Sequence, residues 1–217
     1  MTWLVAGLGN PGEPYAKTRH NLGYRVVDEL AAREGERFRK ARFVGADVAE
    51  IRVGTERVLL AKSRAFMNES GPAIASLARK QDVEPDHVIV VHDEIDLPFG
   101  ALRVKVGGST AGHNGLRSLQ QALRTPDFFR IRLGVGRPTG HKQAADWVLD
   151  TFAKREEPDV AILVDDAADA VRSLIADGLL PTQDRYNRSA PREPYRGSKT
   201  IAWQGLVRRT RPVRAVR

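Results

Sequence analysis

The spacing of apolar residues switches repeatedly between two periods along the chain, and the switches outline its elements. Thr2–Ala6 reads as a buried strand, and "NLGYRVVDELAAREG" as a helix whose Leu22, Val26, Val27 and Leu30 share one face. "GADVAEIRVGTERVLLAKS" alternates, turns at Gly54-Thr55 and alternates again, the pattern of an antiparallel hairpin. Ser70 is placed to cap a helix with Pro72 in its first turn and Ile74 and Leu77 on its apolar face. The Val/Ile density of "HVIVVHDEI" predicts a fully buried strand. "GALRVKV" and "FFRIRLGVG" alternate, which sets Arg103 with Lys105, and Arg130 with Arg132, on one side of their strands. "NGLRSLQQALR" is an amphipathic helix, "ADWVLDTF" a short strand or a helix start, and "EPDVAILVDDAADAVRSLIADG" a long helix ending at Gly178. Strands interleaved with helices, plus one hairpin, predict an α/β fold: a single three-layer α/β/α domain around a twisted mixed β-sheet.

Bulk composition narrows the class. The 217 residues suit one domain with a real core, and 41% hydrophobic with 29% charged residues is ordinary for a globular protein. No apolar run approaches a membrane span, and the N-terminus lacks the pattern of a secretory signal. The absence of Cys excludes disulfides, zinc–thiolate sites and cysteine nucleophiles, and fits a cytoplasmic location. The net charge of +8 is a tail property. Residues 185–217 hold ten Lys/Arg and the single acid Glu193, whereas residues 1–184 carry 25 basic and 26 acidic side chains. The chain therefore divides into a near-neutral domain, 1–184, and a basic extension, 185–217. That extension is either a disordered or loosely docked appendage, or an element that grips nucleic acid through Trp203 and its arginines.

"GLGNPG", residues 7–12, has the G-x-G-x-x-G spacing of a dinucleotide-binding loop. Its context is wrong for that use. Pro11 and Pro14 follow within a few residues, helical periodicity begins only near Asn21, and a hairpin replaces the expected parallel strand. Gly7 and Gly9 then serve to turn the backbone sharply at a strand end and let it approach another group, presenting Asn10 at a site mouth.

Several segments place polar residues just beyond strand ends: Asn10; Tyr15, His20 and Asn21; Met67 and Asn68; His92, Asp93 and Asp96; His113 and Asn114. There is no serine elbow, and the histidines lack the H-x-x-x-H spacing of a zinc site. What remains is His as general base, a carboxylate to fix its tautomer, and Asn amides to hold water or an oxyanion. That set suits direct water attack on an activated acyl bond such as an ester.

"GLGNPG", "YAKTRHNLGYRVVDE", "FMNESG", "DEIDLPFG" and "STAGHNGLRSL", in this order and spacing over residues 2–184, resemble the bacterial peptidyl-tRNA hydrolases. The resemblance implies a monomeric, cofactor-free and metal-independent enzyme. Its substrate would be tRNA carrying an N-blocked peptide, with no membrane and no obligate protein partner. It implies His20 as general base, Asp93 as its orienter, and Asn10 holding His20 and the ester region. Asn68 and Asn114 would bind peptide main chain and water with His113 beside them, and Tyr15 and Met67 would line the cleft. Arg103, Lys105 and Arg132, with Lys142 or its neighbour His141, would contact tRNA phosphates. The competing reading is an RNA-binding protein on the same scaffold without hydrolytic activity. A pure binder has no chemical need for a base and its orienter.

Overall fold

The computed structural model describes residues 1–138 and 140–187. The extension's expected behaviour, Trp203 included, therefore lies almost wholly outside the described residues. Seven strands form one sheet in the order β2-β3-β4-β1-β5-β7-β6. They are β1 (Thr2–Gly7), β2 (Arg39–Lys40), β3 (Ala46–Val53), β4 (Glu56–Ser63), β5 (Val88–Glu94), β6 (Leu102–Val106) and β7 (Phe129–Gly134). The central strands β4, β1, β5 and β7 run parallel, while β2, β3 and β6 add antiparallel edges. The hairpin pairs Val53 with Glu56 across Gly54-Thr55, as its alternation predicts.

Helices α1 (Leu22–Arg33) and α5 (Glu157–Asp177) cover one face. Leu22, Val26, Val27 and Leu30 pack there against Val5, Ile89 and Val91. Helices α2 (Ser70–Lys80) and α3 (Asn114–Leu123) cover the other, over Leu4, Ala6, Val88 and Val90. The parity of β1 and β5 thus assigns each layer its side chains. The ambiguous "ADWVLDTF" forms a short helix, α4 (Ala144–Leu149). Ser70 is not a cap: its hydroxyl donates to Phe66 O at 3.4 Å, and a 3-10 turn over Met67–Glu69 leads directly into α2.

Helix α6 (Leu179–Tyr186) follows α5 and shields the outer edge of β6. The Asn187 side chain accepts from Val104 N at 2.7 Å and donates to Val104 O at 2.9 Å, replacing a strand neighbour. A boundary after residue 184 therefore falls inside α6, and Asn187 just beyond α6 packs on β6 as well.

Candidate active site

The 7–12 loop explains its glycines by close packing. A Cβ on Gly7 would sit 2.3 Å from Gly23 O, and one on Gly23 only 2.4 Å from Leu8 N. The end of β1 is pressed against the first turn of α1, with no space between them for a pyrophosphate. Leu8 N continues the sheet by donating to Val91 O, so Asn10 emerges beside the ends of β1 and β5.

Asn10 is held by its neighbours and not by His20. Its N–H donates to Asn21 Oδ1 and its carbonyl accepts from Asn21 Nδ2, both at 2.9 Å. Its Oδ1 accepts from Met67 N at 2.8 Å. The expected Asn10–His20 contact is therefore replaced by a clasp through Asn21, the residue after His20. With Oδ1 committed, Asn10 Nδ2 is left as a donor without a partner among the described residues.

His20 sits in a 3-10 turn over Arg19–Asn21 just ahead of α1. Its Nδ1 lies 2.8 Å from Asp93 Oδ1, with the His20 side chain 11% and the Asp93 side chain 2% exposed. A carboxylate can only accept, so Nδ1 carries the hydrogen and Nε2 keeps its lone pair. Burial alone drives the His20 imidazole toward neutrality; the charge and hydrogen bond of Asp93 outweigh it and raise its pKa above the ordinary 6.5. Burial likewise opposes ionisation of Asp93, but His20 and His113 together hold it well below the usual carboxylate range.

His113 is a second donor to the same oxygen, at 3.1 Å through Nε2. Its Nδ1 accepts from Gly115 N and Leu116 N, which makes His113 the N-cap of α3 and puts its hydrogen on Nε2. Two imidazoles thus point N–H groups at one buried carboxylate oxygen, with ring centroids 4.9 Å apart. His92 packs edge-on to His113 at 5.0 Å, and its Nδ1 donates to Asp93 O. Burial and the neighbouring His113 keep His92 neutral, its pKa well below 6.5.

Among the described residues, His20, Asp93 and His113 are also the set whose ligand-type atoms all lie within 4.8 Å of one another. Both nitrogens facing Asp93 carry hydrogens here, so a cation would have to displace two protons.

The remaining residues expected in the site lie at the starts of α2 and α3 and beside Phe66. Asn114, exposed, is the first residue of α3, directly after His113. Asn68, also exposed, lies in the turn before α2, next to the Met67 N–H that binds Asn10. Tyr15 meets Phe66 edge-on at 6.1 Å. Met67 is 4% exposed and packs in the α2/α3 layer, where a Cβ on Gly115 would lie 2.5 Å from its Sδ.

The basic strands form one face, and its cations are unequal. Arg103 stands opposite Arg132 and Lys105 opposite Arg130 in the β6–β7 ladder. Like charges in direct register repel. Desolvation and the neighbouring Arg132 and Arg130 lower the Lys105 pKa. Arg132 is tied to Glu94, with Nη2 to Oε2 at 3.0 Å. Arg103 turns toward Tyr186 O, at 3.3 Å, at the end of α6. Lys142 pairs with Asp150. Sequence reasoning gave no role to Asn21, Glu94 or Arg19, whose parts depend on partners distant along the chain. Arg19 is buried, stacks on Trp147 at 3.8 Å and pairs with Glu156 at 2.9 Å.

The profile described as peptidyl-tRNA hydrolase matches residues 4–194. The chain is 49% identical over 190 residues to a peptidyl-tRNA hydrolase of Arthrobacter sp. (strain FB24), covering 86% of this chain and 96% of that one. It is 53% identical over 184 residues to one from Mycobacteroides abscessus, covering 85% and 94%. Among solved structures, the peptidyl-tRNA hydrolase of Acinetobacter baumannii superposes with a TM-score of 0.82 at 29% identity, over 88% of this chain and 97% of that one.

Proposed function

The chain belongs to the peptidyl-tRNA hydrolase family, and from that premise we propose that His20 and Asp93 hydrolyse the ester between peptide and tRNA by direct attack of water. The observation that carries this reading is the His20–Asp93 hydrogen bond, which directs the His20 Nε2 lone pair away from the carboxylate. Water in reach of Nε2 gives up a proton as its oxygen bonds to the ester carbonyl carbon. The carbonyl oxygen becomes an oxyanion, for which Asn10 Nδ2 is an unused donor. Collapse breaks the bond to the ribose 3′-oxygen, which leaves with the proton from the His20 imidazolium. Products are free tRNA and a peptide with a new carboxylate, so tRNA from aborted translation is returned to use. Asn68 and Asn114 are the exposed amides on either side for peptide main chain and water.

The basic face supplies the tRNA grip. Lys105 has no ion pair among the described residues, whereas Arg132 reaches a phosphate by sharing or releasing Glu94. Lys142 is the weaker candidate, since Asp150 already neutralises it. Catalysis belongs to the α/β domain, working as a monomer in the cytoplasm where peptidyl-tRNA arises. No helix among the described residues is long and apolar enough to cross a membrane.

The test is turnover of N-acetylated aminoacyl-tRNA by the full chain in EDTA, with free-amine aminoacyl-tRNA as control. His20→Ala should lower the rate by about 10²–10⁴-fold while tRNA binding persists. Equal loss of rate and binding removes His20 as the base.

A further inference from the structure

Arg130 looks in the sequence like one more cation of the phosphate-binding face, but its surroundings differ from those of its neighbours. It is 0% exposed. No carboxylate lies within ion-pair distance among the described residues, and the nearby Glu94 is bound to Arg132. Its donors go to backbone carbonyls instead: Nη1 to Ser109 O at 2.8 Å, Nη2 to Gly108 O at 2.8 Å and to Pro126 O at 3.5 Å. The guanidinium lies 4.8 Å from the Phe128 ring, and Nε is buried without a partner. A buried charge is costly unless fixed dipoles compensate it, and here two successive carbonyls of one loop do so.

That loop has an unusual backbone. Gly107, Gly108, Ala111 and Gly112 all have positive φ, and Ala111, at +48°, has no glycine's freedom to relieve it. The loop has one further internal backbone bond, His113 N to Thr110 O at 2.8 Å, and then delivers His113 to Asp93 and Asn114 to the cleft. A strained segment holds one shape only when its surroundings fix it, and the Arg130 fork supplies two of the fixed points.

We propose that Arg130 is a positioning residue: from beneath the 107–113 loop it sets where His113 and Asn114 stand relative to Asp93 and His20, and it binds no phosphate itself. The proposal rests on the hydrolytic reading above. The charged and titratable groups around the two ends are Lys105, Arg132 and Glu94 near Arg130, and His20, His92 and His113 near Asp93.

The test uses full-length Arg130→Lys, which keeps the charge and one donor, and Arg130→Met, which loses both. Turnover of N-acetylated aminoacyl-tRNA is measured across pH, and tRNA affinity across a salt series. A catalytic group displaced by about 1 Å loses roughly 10²-fold in rate, so kcat should fall about 10- to 100-fold, less in Arg130→Lys. The tRNA affinity and salt slope should stay within about twofold of the parent, because no phosphate contact is removed. The acid limb of kcat/KM should move to higher pH. With the His113 donation loosened, the Asp93 oxygen has one donor fewer and holds the His20 proton more tightly. Arg130→Lys provides the reading if Arg130→Met does not fold. A lowered melting temperature with kcat and the acid limb unchanged would make Arg130 merely structural and overturn the proposal. A flattened salt slope would overturn it too, by making Arg130 a phosphate contact. His20→Ala in the same assay separates the two levels: near-parental turnover there sinks the hydrolytic reading, whatever Arg130 does.

Discussion

Asp93→Asn tests the centre of the mechanism with almost no change in shape. In the parent, burial pulls the His20 pKa down while the Asp93 carboxylate at 2.8 Å pulls it up, and the carboxylate wins. An imidazolium and a carboxylate about 4 Å apart, charge centre to charge centre, attract by about 4 kcal/mol at an effective dielectric of 20. The substitution deletes that attraction and leaves the burial intact, so the His20 pKa should cross from above 6.5 to below it. Deprotonated His20 is the active form, so the acid limb of kcat/KM should move to lower pH. Rate should nonetheless fall by about 10²–10⁴-fold at neutral pH, because an amide neither stabilises the imidazolium nor fixes its tautomer as a carboxylate does. The amide oxygen also has to serve both His20 and His113, which share Oδ1 in the parent. The assay is a pH series of kcat/KM on N-acetylated aminoacyl-tRNA, with tRNA affinity measured in parallel. An acid limb that stays in place, or moves up, would refute the claim that Asp93 charge sets the state of His20. Near-parental turnover would remove Asp93 from the mechanism.

The other predictions follow from single contacts. Lys105→Gln should weaken tRNA binding and flatten the log K against log salt slope by about 0.7–0.9, the release expected for one phosphate contact, with the rate on a short ester unaffected. Glu94→Gln frees Arg132 from its carboxylate and should do the opposite, tightening tRNA and steepening the slope by up to about 0.9; unchanged binding would place Arg132 off the tRNA path. Arg19→Ala leaves Glu156 unpaired and strips the stack on Trp147, so urea unfolding should register a loss of about 3 kcal/mol. Gly71→Ala puts a Cβ 2.1 Å from Ser118 O, where α2 and α3 cross, and should cost about 3 kcal/mol by the same measurement.

Periodicity makes most elements legible in the sequence. The Gly54-Thr55 hairpin, the buried β5 and the long α5 each have a single spacing consistent with their residues. Segments held by remote partners were not legible. Ala144–Leu149 is ambiguous by itself and becomes helix where Trp147 lies under Arg19 and donates to Gly136 O. Ser70 has the residue type of a cap, but the turn before it is already helical. In the site, residue types pointed to a His–carboxylate pair, while its wiring depended on three dimensions. Asn10 reaches Asn21 and Met67, and His113 is an N-cap of a residue type seldom found there.

On the proposed reading, alternation along β5 lets binding and catalysis use one strand without sharing side chains. Val88 and Val90 face the α2/α3 layer and Ile89 and Val91 the α1/α5 layer, and the same parity continues through His92, Asp93 and Glu94. Asp93 therefore falls on the side of His20, which precedes α1, while His92 and Glu94 fall on the side of the basic face. One residue step separates the carboxylate bound to His20 from the carboxylate bound to Arg132. A one-residue slip of β5 would exchange those two environments, and inserting a residue within β5 should abolish rate and tRNA binding together. Asp93→Asn and Glu94→Gln, by contrast, should each change only one of the two.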